Sequence, residues 1–281
     1  MTKYLVDYHL HTEYSDDAII PMEEVVLNYI NKGFKEICFT DHVDYGMKLD
    51  WGEEGIVPRL ENGLPLRNVD YDRYFKQIED LQEKYKDQII IRKGLEFGIQ
   101  TITIDKFQKL YDKYPMDFVI LSIHQVNNQE IWINTGFYDV PQKEGYRKYY
   151  NEYLEIMKNF KDYSTIGHLD YINRYDPHGL CDPSVYMDIV DEIFKLAIKE
   201  NKAVEYNTGS MLKYDDSYNN IYVTLLKRYY ELGGRNITIG DDCHKGELTG
   251  LGIPEGYDVL KYIGFKQFCT FENMKPIFHE L

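Results

Sequence analysis

Along the chain, short runs of β-branched and apolar residues alternate with longer segments whose apolar positions recur at helical spacing, the pattern of βα units. Seven such units can be counted, with strands predicted at 4–11 (YLVDYHLH), 36–42 (EICFTDH), 89–97 (IIIRKGLEF), 118–124 (FVILSIH), 164–170 (STIGHLD), 203–208 (AVEYNT) and 236–242 (NITIGDD). The segments between them carry helical punctuation. Asp182 reads as an N-cap with Pro183 in the first turn, followed by Val185, Ile189, Ile193, Leu196 and Ala197 on one face. Gly33 and Gly233 stand where a helix C-cap is expected. No solenoid repeat and no low-complexity linker interrupts the alternation, so a single domain over 1–281 is predicted. The longest irregular stretch, 43–68, holds Gly46, Gly52, Gly55, Pro58, Gly63 and Pro65. It is either a plain surface excursion or a lid and substrate-binding insertion.

The ionisable residues keep a fixed register with these strands. His9 and His11 close the first, Asp41 and His42 the second, Glu96 the third and His124 the fourth. His168 and Asp170 close the fifth, Glu205 and Asn207 the sixth, and Asp242 and His244 the seventh. In a βα barrel the C-terminal strand ends converge on one mouth, so these groups are expected to share a pocket. Residues two apart on an extended chain face the same side. His9 with His11, and Asp242 with His244, can therefore each present two side chains to one ion, with Cys243 turned away as a packed thiol.

Each residue also has a blander reading. A lone His-x-His pair is more often hydrogen-bonded or solvated than metal-bound, and Glu96 has Lys93 nearby as a salt-bridge partner. His124 or His168 alone reads as a satisfied core histidine. Together with Glu96 they form a mixed nitrogen and oxygen set that suits Zn²⁺, Mn²⁺ or Fe²⁺. His178 and His279 read as loop and surface residues. Arg174, six residues beyond His168, is placed either to clamp a phosphate bidentately or to form a surface ion pair.

Composition narrows the ligand. The 281 residues carry 32 basic and 47 acidic side chains, a formal charge of −15, with no basic run to hold a polyanion. Apolar residues at 43% and 27 tyrosines are enough for a sizeable core. The four cysteines form no CxxC pair, and the N-terminus lacks a signal peptide's apolar stretch, which reads as a reduced, cytoplasmic protein. The apolar runs are far shorter than the roughly 20 residues a membrane span needs. There is no GxSxG elbow, CX₅R loop, Walker A motif or GxGxxG.

The ordered motifs HLHT with downstream YSDD, then TDH, GLE, SIH, GHLD and a late DxH, resemble the PHP (polymerase and histidinol phosphatase) superfamily, most closely its monofunctional histidinol-phosphatase branch. The likeness runs from His9 to His244. It implies a distorted (β/α)₇ TIM-like barrel with two or three divalent ions (Zn, Mn or Fe) at the C-terminal mouth. One position would take His9, His11, Glu96 and Asp242, a second Glu96, His124 and His168, and a third Asp17, His42 and His244, with Glu96 bridging the first two. Many family members carry histidine where this chain has Asp17, which makes the third position richer in oxygen, and Asp16 is the neighbouring alternative. Asp41 and Asp170 would support the ligands, and Arg174 and Asn207 would contact substrate. His168 and Asp170 are the expected catalytic groups. The implied reaction is hydrolysis of L-histidinol phosphate in histidine biosynthesis, by in-line attack of metal-bound hydroxide without a phospho-enzyme. The competing readings are a phosphodiesterase or nuclease, a phosphotyrosine-protein phosphatase, and a non-catalytic metal- or phosphate-binding module. The expected partner is a small phosphomonoester, with neither nucleic acid nor membrane; the oligomeric state stays open.

Overall fold

The computed structural model describes residues 4–133, 137–214 and 216–281. Among them, seven parallel strands succeed one another in chain order: β1 (Val6–Asp7), β2 (Glu36–Phe39), β3 (Ile90–Gly98), β4 (Phe118–Ser122), β5 (Thr165–Ile166), β6 (Ala203–Asn207) and β7 (Ile237–Gly240). The last returns to the first. Tyr8 N–H donates to Ile239 O at 3.0 Å, Asp242 N–H to His9 O at 2.7 Å and His11 N–H to Cys243 O at 3.0 Å, which nearly closes a barrel. This is the α/β barrel the alternation predicts, with α1 (Met22–Asn31), α2 (Tyr71–Tyr85), α3 (Ile104–Lys113), α4 (Gln142–Asn159), α5 (Met187–Lys199) and α6 (Ile221–Glu231) in the successive crossovers. α7 (Ile253–Ile263) follows the last strand.

The helix ends follow local chemistry. After α1, Gly33 takes φ of 80°, its N–H donates to Ile30 O and that of Phe34 to Tyr29 O, the Schellman pattern that a left-handed residue permits. Asp182 caps a short 3₁₀ turn, Pro183–Val185, which leads into α5. Ile189, Ile193 and Ala197 of α5 are buried as the periodicity requires.

Several elements differ from expectation. β1 and β5 are two-residue ladders in place of the longer runs at 4–11 and 164–170: beyond Asp7 and Ile166 regular pairing gives way to isolated backbone bonds, such as His11 N–H to Cys243 O and Gly167 N–H to Leu121 O, while side chains turn into the mouth. The 43–68 stretch is not wholly irregular: Leu60–Glu61 pairs with Leu64–Pro65 in a small hairpin. At the C-terminus, β8 (Gln267–Glu272) and β9 (Lys275–Glu280) form a hairpin around Asn273 and Met274, whose φ values of 49° and 62° suit a primed two-residue turn. It plugs the barrel's other end, where Phe271 N–H donates to the Tyr8 hydroxyl at 3.0 Å and Phe271 packs on Phe118. His279 lies on this hairpin, stacked on Tyr4 with ring centroids 4.5 Å apart, so it is half-buried and not the free surface residue expected.

No helix among the described residues is long and apolar enough to cross a membrane. The four cysteines are unpaired.

Candidate metal centre

The chain past β1 runs extended, so Leu10 packs outward while His9 and His11 both face the barrel axis. Glu96, two residues before the end of β3, sits at the centre of the mouth, fully buried. His9 Nε2 lies 3.3 Å from Glu96 Oε2 and 3.4 Å from Asp242 Oδ1; His11 Nε2 lies 3.6 and 3.3 Å from the same two atoms. On the other side, Glu96 Oε1 is 3.2 Å from His124 Nε2 and 2.8 Å from His168 Nε2. A third group forms above: His42 Nε2 and His244 Nε2 are 3.2 Å apart, with Asp17 Oδ2 at 3.6 and 3.3 Å from them. Donors held about 2.0–2.2 Å from one tetrahedral ion stand about 3.3–3.6 Å from one another, the spacing seen in the first and third groups.

The unsatisfied atoms point to the same chemistry. His9 Nε2, His11 Nε2 and Glu96 Oε2 are buried without a well-aligned hydrogen bond among the described residues, although His42 Nδ1 lies 2.7 Å from Glu96 Oε2. Orphaned buried polar atoms cost free energy, and a divalent ion at their common centre satisfies all three. The residues present therefore fit a metal cluster, with several buried groups of imidazoles and carboxylates able to hold an ion.

The outer ring nitrogens are held by partners that leave Nε2 aimed inward. His9 Nδ1 is 2.5 Å from Glu205 Oε1, and His124 Nδ1 is 2.8 Å from Asp44 Oδ1. His244 Nδ1 meets the carbonyl of Asp242 at 2.9 Å. His11 Nδ1 is 3.2 Å from Ser15 Oγ, which donates to Asp41 at 2.7 Å, so Asp41 acts through Ser15. Glu205 was visible as a strand-end acid, but nothing local assigns it to His9. Asp44 and Ser122, whose hydroxyl donates to Glu96 Oε1 at 2.6 Å, carry no distinguishing sequence signal.

Charge inside the centre is balanced among these groups. Burial opposes ionisation of Glu96, but His9, His124 and His42 outweigh it and hold its pKa well below the usual range. Burial also works against a charged His9, whereas Glu205, Glu96 and Asp242 raise it well above normal. His11 goes the other way, lowered by burial and by His42 and His244. An ion bound among these atoms takes the place of those protons, so metal affinity must weaken as pH falls.

The remaining expected residues sort by position. Asp17, not Asp16, meets His42 and His244; Asp16 is engaged by Lys48 and by Arg59 at 2.9 Å. Lys93 pairs with Glu79, leaving Glu96 to the histidines. Arg174 lines a mouth cavity of about 390 Å³ beside His124, His168, Asp242 and His244. Its guanidinium donates to Asp242 Oδ2 at 3.2 Å and to Ser210 Oγ, and its Nε is buried with no hydrogen-bond partner among the described residues. Asp170 is buried behind it, accepting from Ser210 Oγ and Tyr214 OH at 2.8 Å each. Asn207 is equally enclosed. Its Nδ2 donates to Asp242 at 3.2 Å and its Oδ1 accepts from Ser210 N–H at 2.7 Å. His178 is exposed in its loop, and the Cys243 thiol donates to Lys245 O at 2.9 Å, outside the donor groups.

Residues 7–209 match the PHP domain family. The histidinol-phosphatase of Lactococcus lactis is 34% identical over 275 residues, covering 96% of this chain and 95% of that protein. A probable histidinol-phosphatase of Clostridium acetobutylicum is 29% identical over 279 residues, covering 98% and 96%. The crystal structure of histidinol phosphate phosphatase from Lactococcus lactis, complexed with zinc, L-histidinol and phosphate, is similar with a TM-score of 0.84 and 31% identity over 98% of this chain and 99% of that one. A family match across most of the barrel, joined to relatives that align nearly end to end, means that this chain belongs to the PHP family alongside the histidinol-phosphatases.

Proposed function

We propose that this chain is a metal-dependent histidinol-phosphatase, converting L-histidinol phosphate and water to L-histidinol and phosphate. The observation that carries the reading is the bridging of two donor groups by Glu96, next to an arginine whose Nε is buried and unpartnered among the described residues. The ligands are His9, His11, Glu96 and Asp242 at one position, Glu96, His124 and His168 at a second, and Asp17, His42 and His244 at a third. The donor chemistry suits Zn²⁺, Mn²⁺ or Fe²⁺, and the zinc in the Lactococcus lactis enzyme supports the first. Divalent ions supply Lewis-acid stabilisation of phosphate charge and lower the pKa of a coordinated water.

The chain's own residues do the rest. Arg174 offers Nε–H to a phosphate oxygen while its terminal nitrogens stay on Asp242 and Ser210, so the guanidinium is fixed before substrate arrives. Asp170, with Tyr214 and Ser210, holds that orientation. A new oxygen–phosphorus bond forms from water as the ester bond breaks, and the departing alkoxide takes a proton at the mouth, where His168 faces the cavity. The segment 43–68 contributes Lys48 and Arg59 to the cavity wall, the placement of a substrate-binding insertion. A compact phosphate bearing its own cationic amine suits a chain of charge −15 better than a polyanion, in a reducing, cytoplasmic setting.

Release of phosphate from L-histidinol phosphate and phosphotyrosine peptide, and of nucleotides from single-stranded DNA, measured with Zn²⁺ or Mn²⁺, tests the proposal. Turnover of the first at a kcat/KM at least about a hundredfold above the others is expected. Preference for DNA or peptide, or no release from any of them, refutes it.

A further inference from the structure

The segment 43–68 meets the metal centre at one buried point. The carbonyl of Asp44 accepts the N–H groups of Met47 and Lys48 at 3.1 and 3.0 Å, so the chain coils through one turn and returns the Lys48 side chain onto Asp44. Lys48 is only 2% exposed; its Nζ is 2.8 Å from Asp44 Oδ2 and also bonds Asp16. The other oxygen of Asp44 lies 2.8 Å from His124 Nδ1, and His124 Nε2 faces Glu96 at 3.2 Å. An unbroken line of contacts therefore runs from Lys48 through Asp44 and His124 to the bridging carboxylate.

The backbone makes room for this line. A Cβ on Gly98, at the end of β3, would lie 1.9 Å from Asp44 Oδ1 and 2.8 Å from His124 Nδ1. Asn68, from the far end of the segment, accepts the Asp44 N–H at 2.9 Å. Asp44 is thus held from three directions, and Lys48 is the only one of these holds that grips the carboxylate oxygen not given to His124. Without it the carboxylate is free to turn about its Cβ–Cγ bond and to bind His124 through either oxygen.

We propose that Lys48 is a positioning residue for the second metal position: by fixing the Asp44 carboxylate it sets the ring orientation of His124, and with it the affinity of the Glu96–His124–His168 group for a divalent ion. This rests on the metal-dependent reading above. Two effects of Lys48 have opposite signs, which makes the inference testable. As a cation close to the cluster, Lys48 repels bound metal, so charge alone predicts tighter binding once it is removed. Positioning predicts weaker binding, because a ligand whose outer partner is loosened loses pre-organisation.

Zinc titration of the metal-stripped full chain against a chromophoric chelator separates the two. In Lys48→Met, one zinc equivalent is expected to bind about tenfold more weakly than in the wild type, the others unchanged, with kcat reduced more than KM. Lys48→Arg should recover most of that affinity. Gly98→Ala, which pushes Asp44 off His124, should show the same selective loss. If the lone substitution does not fold, the charge-balanced pair Asp16→Asn with Lys48→Met carries the same expectation. Unchanged or tighter zinc binding in Lys48→Met overturns the inference, as does a loss shared equally by all equivalents. A wild-type chain that takes up no zinc overturns the metal reading itself, a distinct result.

Discussion

Arg174→Met isolates the phosphate clamp. The guanidinium has five N–H donors; one terminal nitrogen serves Asp242 at 3.2 Å and the other Ser210, while Nε–H is buried and without a partner among the described residues. A phosphate oxygen that takes this donor gains one charge-assisted hydrogen bond, worth about 1.5–3 kcal/mol. At about 1.4 kcal/mol per factor of ten, that corresponds to a loss of about 10–100-fold in kcat/KM when the bond is removed. A second bond from a terminal N–H would deepen the loss, so the lower bound is the firm part. Steady-state phosphate release from L-histidinol phosphate is the assay, with bound metal measured on the same samples because Arg174 also anchors Asp242. Arg174→Lys should fall between the two, since an ammonium keeps the charge but cannot serve Asp242, Ser210 and phosphate from one rigid plane. A methionine variant that keeps its full metal complement and more than half of wild-type kcat/KM would show that the arginine is only a brace for Asp242.

Four further outcomes follow from the same geometry. Glu96→Gln removes the charge that both donor groups share, so metal analysis should show at least one equivalent lost and activity reduced by more than the about 10–100-fold typical of losing an outer partner. Glu205→Gln should weaken zinc binding by about 10–100-fold through His9, read by chelator competition; wild-type affinity would remove Glu205 from the centre. Stripping the metals should lower the melting temperature by about 10 °C for ions held near a thousandfold above Kd, and an unmoved melting curve under EDTA would mean that no cluster is bound. Between about pH 4 and about pH 7, Asp7 should contribute a loss of stability to the metal-free chain as pH rises. Burial pushes its carboxyl up to about 7 in the folded state, so over that window native Asp7 holds a proton that the unfolded chain releases. Denaturant midpoints of wild type and Asp7→Asn across that range isolate this contribution: the wild type should lose stability relative to the variant as pH rises, and parallel curves would refute it.

The strand pattern was legible because burial on both faces of a parallel barrel imposes continuous apolar runs, which turn residues and helical periods then separate. Strand lengths were less so. The runs at 4–11 and 164–170 look like full strands, yet only Val6–Asp7 and Thr165–Ile166 pair as ladders, and the residues that follow keep isolated bonds to neighbouring strands while aiming side chains inward. The terminal hairpin has no counterpart among the predicted strands, and its role as a plug depends on Tyr8 and Phe118 from distant parts of the chain.

For the site, the sequence by itself determined which donors are present and in what order, since strand register sends His9, His11, Glu96, His124, His168 and Asp242 to one end of any barrel built from these units. It could not choose between Asp16 and Asp17, assign Glu205 to His9 or Asp44 to His124, or see that Asp170 and Asn207 are enclosed behind Arg174 and Asp242. Those choices belong to the tertiary structure. They turn on distances of a few tenths of an ångström between side chains far apart in sequence, and on which oxygen of a carboxylate each neighbour has already taken. Strand periodicity places a residue at the mouth; only the packing of all seven βα units around it decides what its polar atoms touch.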